Sequence, residues 1–448
     1  MDTSHNGQDG HKPTHGEQEE EEEEQPTTRK PYFVTFDIKY ITFLFVGLAL
    51  LWPWNCFLSA SAFYSSRFYA SPALSSIYSP TMMSISTITS TVGSYILSQK
   101  QSGVNYRSRV QTGLSVTIVI FVVMALTSVA PLFLHMGDTV FFAILMTMVF
   151  MSALATCLAQ NGTMAIVNVL GSIYANSVMV GQAVAGVLPS IALIISVILA
   201  GEQAMEVHEI KPDFGIFWYF LTSSIVCILA LALFFISRDK KEASYSGLAE
   251  AMVSQHEESP EEELETQKKF VPFAVLWSKL KYIAMTIFLT FSITLSFPVF
   301  ASVVQSTNAK SKVLSRVFIP SIYLIWNVGD LLGRILCGYP RLRMLITNPR
   351  TLLVYSIARL VFIPLFMTCN IHPGKADPLI NSDLWYILLQ LLFGVSNGQL
   401  CTSSFMVVGD FCDTDDEKEA AGGFTAVFLS VGLAVGSVLS YLLLLVVN

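Results

Sequence analysis

The stretch Gly215-Ile216-Phe217-Trp218-Tyr219-Phe220-Leu221-Thr222-Ser223-Ser224-Ile225-Val226-Cys227-Ile228-Leu229-Ala230-Leu231-Ala232-Leu233-Phe234-Phe235-Ile236-Ser237 contains no charged residue. Its apolar side chains fill every face of a helix, and it exceeds the roughly 20 residues that carry a helix across a bilayer. Comparable runs lie at 37–64, 78–98, 109–133, 139–168 and 174–200 before it, and near 280–305, 317–338, 351–371, 384–410 and 420–447 after it. Charged residues make up only 13% of the 448 residues and hydrophobic ones 53%, whereas soluble domains carry about 25% charged residues. A backbone in hydrocarbon must satisfy its own hydrogen bonds, so such runs are read as helices. The expected fold class is an all-α polytopic membrane protein with eleven transmembrane helices, six before a hydrophilic stretch and five after it.

The charges that remain mark the boundaries. Residues 1–36 read as a disordered acidic tail containing the unbroken run Glu19 to Glu24, with no cleavable signal pattern. Residues 37–237 form the N-terminal six-helix unit, 238–279 an acidic linker and 280–448 the C-terminal five-helix unit. Lys and Arg favour cytoplasmic loops. With the N-terminus inside, 18 of the 26 basic residues fall on that side, and six (Arg67, Lys211, Lys310, Lys312, Arg316 and Lys375) fall opposite. The count places the tail and linker in the cytoplasm and the C-terminus on the far side.

Several function classes are excluded. The net charge of -7 comes with no basic stripe, so nucleic acid is not an expected partner; the lipid bilayer is. The seven Cys lie mostly within apolar runs without ligand spacing, which argues against disulfides, a metal or a cofactor. With no phosphate-cradling loop, nucleophile elbow or zinc signature, an enzyme is not expected. Asn161-Gly162-Thr163 matches a glycosylation sequon but lies inside a span. Ser254 and Ser259 in the linker are each followed three residues later by Glu, so a kinase acting there is a candidate partner, although a solvated tether is the plainer reading.

Polar side chains at membrane depth are costly, on the order of 3 kcal/mol for a charge on insertion scales, and mark functional sites by default. Three sets stand out. In Ile325-Trp326-Asn327-Val328-Gly329-Asp330-Leu331-Leu332-Gly333-Arg334, Asp330 and Arg334 are spaced i,i+4 and share a helix face. They are either a ligand-facing pair or an ion pair that fixes packing. Arg359 and Asp410 lie nearer span ends, where snorkelling to the interface competes with burial. The second set is Gln160-Asn161-Gly162-Thr163 together with Gly181-Gln182-Ala183-Val184-Ala185-Gly186. Small residues there permit close helix approach and amides bridge helices, so Gln182 reads first as packing, while Gln160 reads equally as substrate-facing. The third is Trp52-Pro53-Trp54-Asn55, where Pro53 frees a carbonyl inside the first span and either Trp can stack on a planar ligand or fill the core. A ring, amides and a carboxylate–guanidinium pair are together the complements of a base joined to a sugar.

These residues, in this order, resemble the equilibrative nucleoside transporters. The matching stretches are Pro53-Trp54-Asn55, Gln160, Gly181-Gln182, Asp330 to Arg334, Arg359 to Pro364, Ser396-Asn397-Gly398 and Glu419 to Gly432. Leu51 to Cys56, Gln160-Asn161-Gly162, Val178 to Ser190 and Asp415 to Thr425 are most similar to the fungal, intracellular branch. The resemblance implies a major-facilitator-like pair of helix bundles, six plus five, that moves nucleosides (uridine and adenosine among them, with nucleobases a further class) by alternating access. It implies a vacuolar or lysosome-like membrane. It also implies substrate contacts at Trp54, Asn55, Met82, Gln160, Asp330 and Arg334, and packing or gating roles for Pro53, Gln182, Arg359 and Asn397. A carrier of another solute such as a sugar, and a membrane receptor or scaffold, are the rival readings. Proton coupling is open; Asp330 paired with Arg334 is an unsuitable proton carrier.

Overall fold

The computed structural model describes residues 37–101, 103–200, 212–237, 269–307, 312–371 and 378–447. The acidic tail and most of the acidic linker, with Ser254 and Ser259, lie outside the described residues. Asp37 opens the first helix as its N-cap, its carboxylate accepting from the Lys39 N–H at 3.4 Å. The long helices are α1 (Ile38–Ser59), α2 (Pro72–Gln99), α3 (Tyr106–Thr127), α4 (Asp138–Leu170), α5 (Ser172–Ala200), α6 (Phe214–Ile236), α7 (Phe273–Thr294), α8 (Lys312–Cys337), α9 (Pro349–Ala358), α10 (Asp383–Met406) and α11 (Asp415–Val447). Among the described residues nine helical segments are long and apolar enough to cross a membrane. Helices α2 and α8 are as long but more polar: α2 is rich in Ser and Thr, and α8 carries Asp330 and Arg334.

Local chemistry explains where the helices break. A single residue, Gly171 at φ 121°, separates α4 from α5, a backbone conformation that a side chain would oppose. Pro364 cannot donate to the carbonyl four residues back, and Arg359–Val361 tightens into a 3₁₀ turn between α9 and the short helix Phe362–Phe366. By contrast α1 stays helical through Pro53. Helix α7 starts at Phe273, ahead of the apolar run at 280, because Lys279 and Lys281 dilute hydropathy there without opposing a helix.

In the first half α1 packs along α5 and α6, α3 lies against α4 and α6, and α2 lies on α4. In the second half α8 pairs with α10, and α7 with α9 and α11. The halves meet through α5 on α8 and α10, and through α11 on α2 and α4. The α8–α10 contact is a crossing of two small-residue motifs, Gly329-x-x-x-Gly333 and Gly394-x-x-x-Gly398. A Cβ at Gly398 would strike the Asp330 carbonyl, and one at Gly329 would come within 2.5 Å of the Leu391 carbonyl.

Hydrogen bonds between the halves gather at the end where α1 begins. The Gln101 amide pairs with the Val271 backbone, Asn168 Nδ2 donates to the Lys418 carbonyl at 3.1 Å, and Asn176 Nδ2 donates to the Arg334 carbonyl at 2.9 Å. Among the described residues they extend to about mid-helix, at Ser94–Ser430 (3.1 Å) and Asn327–Ser190 (3.0 Å). At the opposite end of the first half an aromatic cluster of Tyr64, Phe68, Tyr78, Phe121, Phe141 and Phe220 fills the core. Arg67 closes it, bonded to Asp138 at 2.8 Å and lying 5.1 Å over the Phe141 ring.

Candidate functional site

Helix α8 brings Asp330 and Arg334 into a directly bonded ion pair. Arg334 Nε donates to Asp330 Oδ2 at 2.8 Å, and the side chains are 7% and 6% exposed, respectively. The other carboxylate oxygen, Oδ1, accepts from Asn397 Nδ2 of α10 at 2.6 Å. Arg334 Nη1 also reaches across the half-to-half boundary to the Met179 carbonyl of α5 at 2.8 Å. Each carboxylate oxygen therefore accepts one hydrogen bond, whereas an ionised carboxylate has about four acceptor positions, so capacity remains for further donors. The glycine crossing of α8 and α10 allows the Asp330–Asn397 contact by bringing the two backbones together.

Helix α5 is the common neighbour of the polar residues singled out in the sequence. Asn55 Nδ2 donates to the Ala185 carbonyl at 2.7 Å, tying α1 to α5 just after Pro53. Gln182 Nε2 donates to Gln160 Oε1 at 3.2 Å, leaving the Gln160 amide protons and the Gln182 carbonyl for other partners. Asn327 of α8 donates to Ser190 Oγ at 3.0 Å, about one and a half turns of helix along α5 from the Asn55 contact. Trp54 is half-buried, whereas its neighbour Trp52 is bonded through Nε1 to Thr222 at 3.0 Å and packs on the aromatic cluster.

Two residues lie elsewhere. Met82 is 0% exposed within the aromatic cluster of α2, α3, α4 and α6, so the structure does not bring it to the Asp330 group. Arg359 does not snorkel: it is 1% exposed, and its guanidinium donates to Ser396 Oγ at 3.1 Å and the Thr290 carbonyl at 3.2 Å. Pro364 places it there by tightening the chain, so position near a span end is a poor guide to its depth. Asn176, Asn327 and Thr294 are site neighbours that the sequence reading passes over. Asn327 carries a usable signal, since it shares a face with Asp330 and Arg334 at i,i+3 and i,i+7. Thr294 carries none, because helical Thr usually bonds its own i−4 carbonyl.

All seven cysteines are free and buried. No three His, Cys, Asp or Glu converge as metal ligands among the described residues. A cavity of about 280 Å³ between α2, α3 and α4 is lined by apolar residues such as Ile96, Val116 and Leu154, and is separate from the polar group.

A sequence profile described as Nucleoside transporter matches residues 145–445. Nucleoside transporter FUN26 of Saccharomyces cerevisiae is 36% identical, the alignment covering 92% of this chain and 85% of that protein. Equilibrative nucleoside transporter 1 of Homo sapiens is 26% identical over 91% of this chain and 97% of its own. Among solved structures, the major facilitator superfamily proton:xylose symporter XylE superposes with a TM-score of 0.55 at 12% identity, covering 90% of this chain and 87% of that one. That last likeness is one of fold alone.

Proposed function

Because the chain belongs to the nucleoside transporter family and has a major facilitator fold, we propose that it carries nucleosides across an intracellular, vacuolar-type membrane. The observation that supports the site is the Asp330 carboxylate, buried at the α5–α8–α10 junction yet with acceptor capacity left over. In this reading Asp330 and Arg334 take the ribose hydroxyls. The Gln160–Gln182 amides read the edge of the base, Trp54 stacks on its face, and Asn55, Pro53 and Asn397 hold the shape. Met82 acts from the core of the first half.

Transport proceeds by alternating access, the two halves rocking about the junction. Helices α2 and α8 complete a set of eleven spans, six before and five after the linker, with Asp330 as the reason α8 reads as polar. The basic-residue count orients the end where α1 begins toward the cytoplasm, and the half-to-half hydrogen bonds gathered there correspond to a conformation closed on that side. Higher identity to the fungal relative than to the human one favours the intracellular address. The linker serves as a tether between the halves, with Ser254 and Ser259 as sites for a kinase.

Flux of radiolabelled uridine and adenosine into proteoliposomes tests the reading. Saturable, self-competed uptake is expected; uptake of ribose or glucose with none of either nucleoside would replace it with a sugar carrier. The same vesicles with an imposed pH gradient decide coupling. Accumulation above equality would show proton coupling, and equality would show facilitated flux.

A further inference from the structure

Among the described residues the second half buries two guanidinium groups, Arg334 and Arg359, and a carboxylate binds one of them directly. Arg334 takes Asp330, while Arg359 is satisfied by neutral groups: Ser396 Oγ at 3.1 Å, the Thr290 carbonyl at 3.2 Å, a long contact to the Phe393 carbonyl at 3.5 Å, and the Phe393 ring 4.6 Å from its Cζ. Those partners sit on α7 and α10 within one helical turn of Thr294 and Asn397. Thr290 is four residues before Thr294, Phe393 is four before Asn397, and Ser396 adjoins it.

Proton accounting gives this arrangement a direction. A carboxylate only accepts, so the Asn397 amide must turn its NH₂ to Asp330, at 2.6 Å, and its carbonyl away from it. That carbonyl oxygen then faces Thr294 Oγ1 at 2.5 Å. Thr294 has a single hydroxyl proton and two acceptors in reach, Asn397 Oδ1 and the Thr290 carbonyl at 2.6 Å. A proton given to Thr290 would leave two lone-pair-bearing oxygens, Thr294 Oγ1 and Asn397 Oδ1, opposed at 2.5 Å. The two lone pairs of the Thr290 carbonyl are already taken by the helical N–H four residues on and by Arg359 Nη1, so the proton is released toward Asn397.

We infer that Thr294 and Arg359 are positioning residues for the substrate site: Arg359 caps Thr290, Thr294 donates to Asn397, and Asn397 so oriented holds Asp330 as an aimed acceptor. The relay acts wholly through its effect on Asp330 and rests on the reading of Asp330 as the acceptor for ribose hydroxyls. Neither Thr294 nor Arg359 touches the substrate.

The test is concentration-dependent uridine uptake by the full-length protein in proteoliposomes. Thr294→Val keeps the shape and removes the proton; it should raise KM roughly tenfold, the equivalent of one hydrogen bond in a charged network, with Vmax changed less than about twofold. Thr294→Ser keeps the proton and should restore KM. In an Asn397→Ala background, Thr294→Val should add nothing further, because the relay has already been cut. Arg359→Gln should reproduce the KM effect and be non-additive with Thr294→Val; if Arg359→Gln does not fold, the Thr294 and Asn397 cycle decides alone. An unchanged KM for Thr294→Val, a Ser variant as impaired as Val, or full additivity with Asn397→Ala would each overturn the relay. Asp330→Asn is run beside them. If it transports uridine normally, the site reading itself fails; if it is impaired while Thr294→Val is normal, only the relay fails.

Discussion

The Gln101 side chain pairs with both backbone groups of Val271, accepting from its N–H at 2.9 Å and donating to its carbonyl at 3.2 Å. Gln101 follows α2 in the first half, and Val271 lies in the last part of the linker, two residues before α7 begins. The amide therefore behaves like an added strand residue that fastens one half to the other, and it is buried, so water does not compete for the bonds.

Gln101→Ala removes the two bonds that join the halves here, worth about 1 kcal/mol each, and should shift the balance roughly thirtyfold away from the conformation in which this end is fastened. Hydrogen exchange at 99–105 and 269–272 measures it. Faster exchange at both segments is expected, and protection equal to wild type would show that the pairing does not hold the halves.

Loss of one member of the Asp330–Arg334 pair strands a buried charge, which typically costs 3–5 kcal/mol. Asp330→Ala and Arg334→Ala should each abolish uridine uptake while some protein remains folded. The double neutral variant Asp330→Asn/Arg334→Gln should recover much of the thermal stability and none of the transport. Recovered transport would assign the pair to packing alone.

Gln160→Ala removes the acceptor of the Gln182 amide and, in the proposed site, one base-reading edge together. The expected result is an unequal loss for purine and pyrimidine nucleosides, read as competition of adenosine and uridine for labelled uptake. A uniform change in affinity would mean that Gln160 only braces α4 on α5.

Gly398→Ala places a Cβ against the Asp330 carbonyl and must push α10 from α8. Overpacking of this kind costs about 1–3 kcal/mol. Because the Asp330–Asn397 bond depends on the same approach, a lowered Tm should come with a raised KM for uridine. A lowered Tm with KM unchanged would separate the crossing from the site.

Much of this protein can be read from the chain alone, because membrane insertion is decided by local composition. Uninterrupted apolar runs give the helices and the polytopic class, the placement of Lys and Arg gives the expected orientation, and Asp330 and Arg334 announce themselves as charges where hydrocarbon disfavours them. Their i,i+4 bond is equally local and is found at 2.8 Å. What joins separate helices is not local. That Asn397 completes Asp330, that Arg359 lies buried rather than snorkelling, that Met82 belongs to an aromatic core, and that Gln101 grips Val271 all follow from which helix faces meet. Those meetings are set by glycine crossings and one-residue turns whose partners lie tens to hundreds of residues away. Helical Thr, Asn and Gln have the same local appearance whether they bond their own turn or a neighbour, so only the tertiary packing decides between the two.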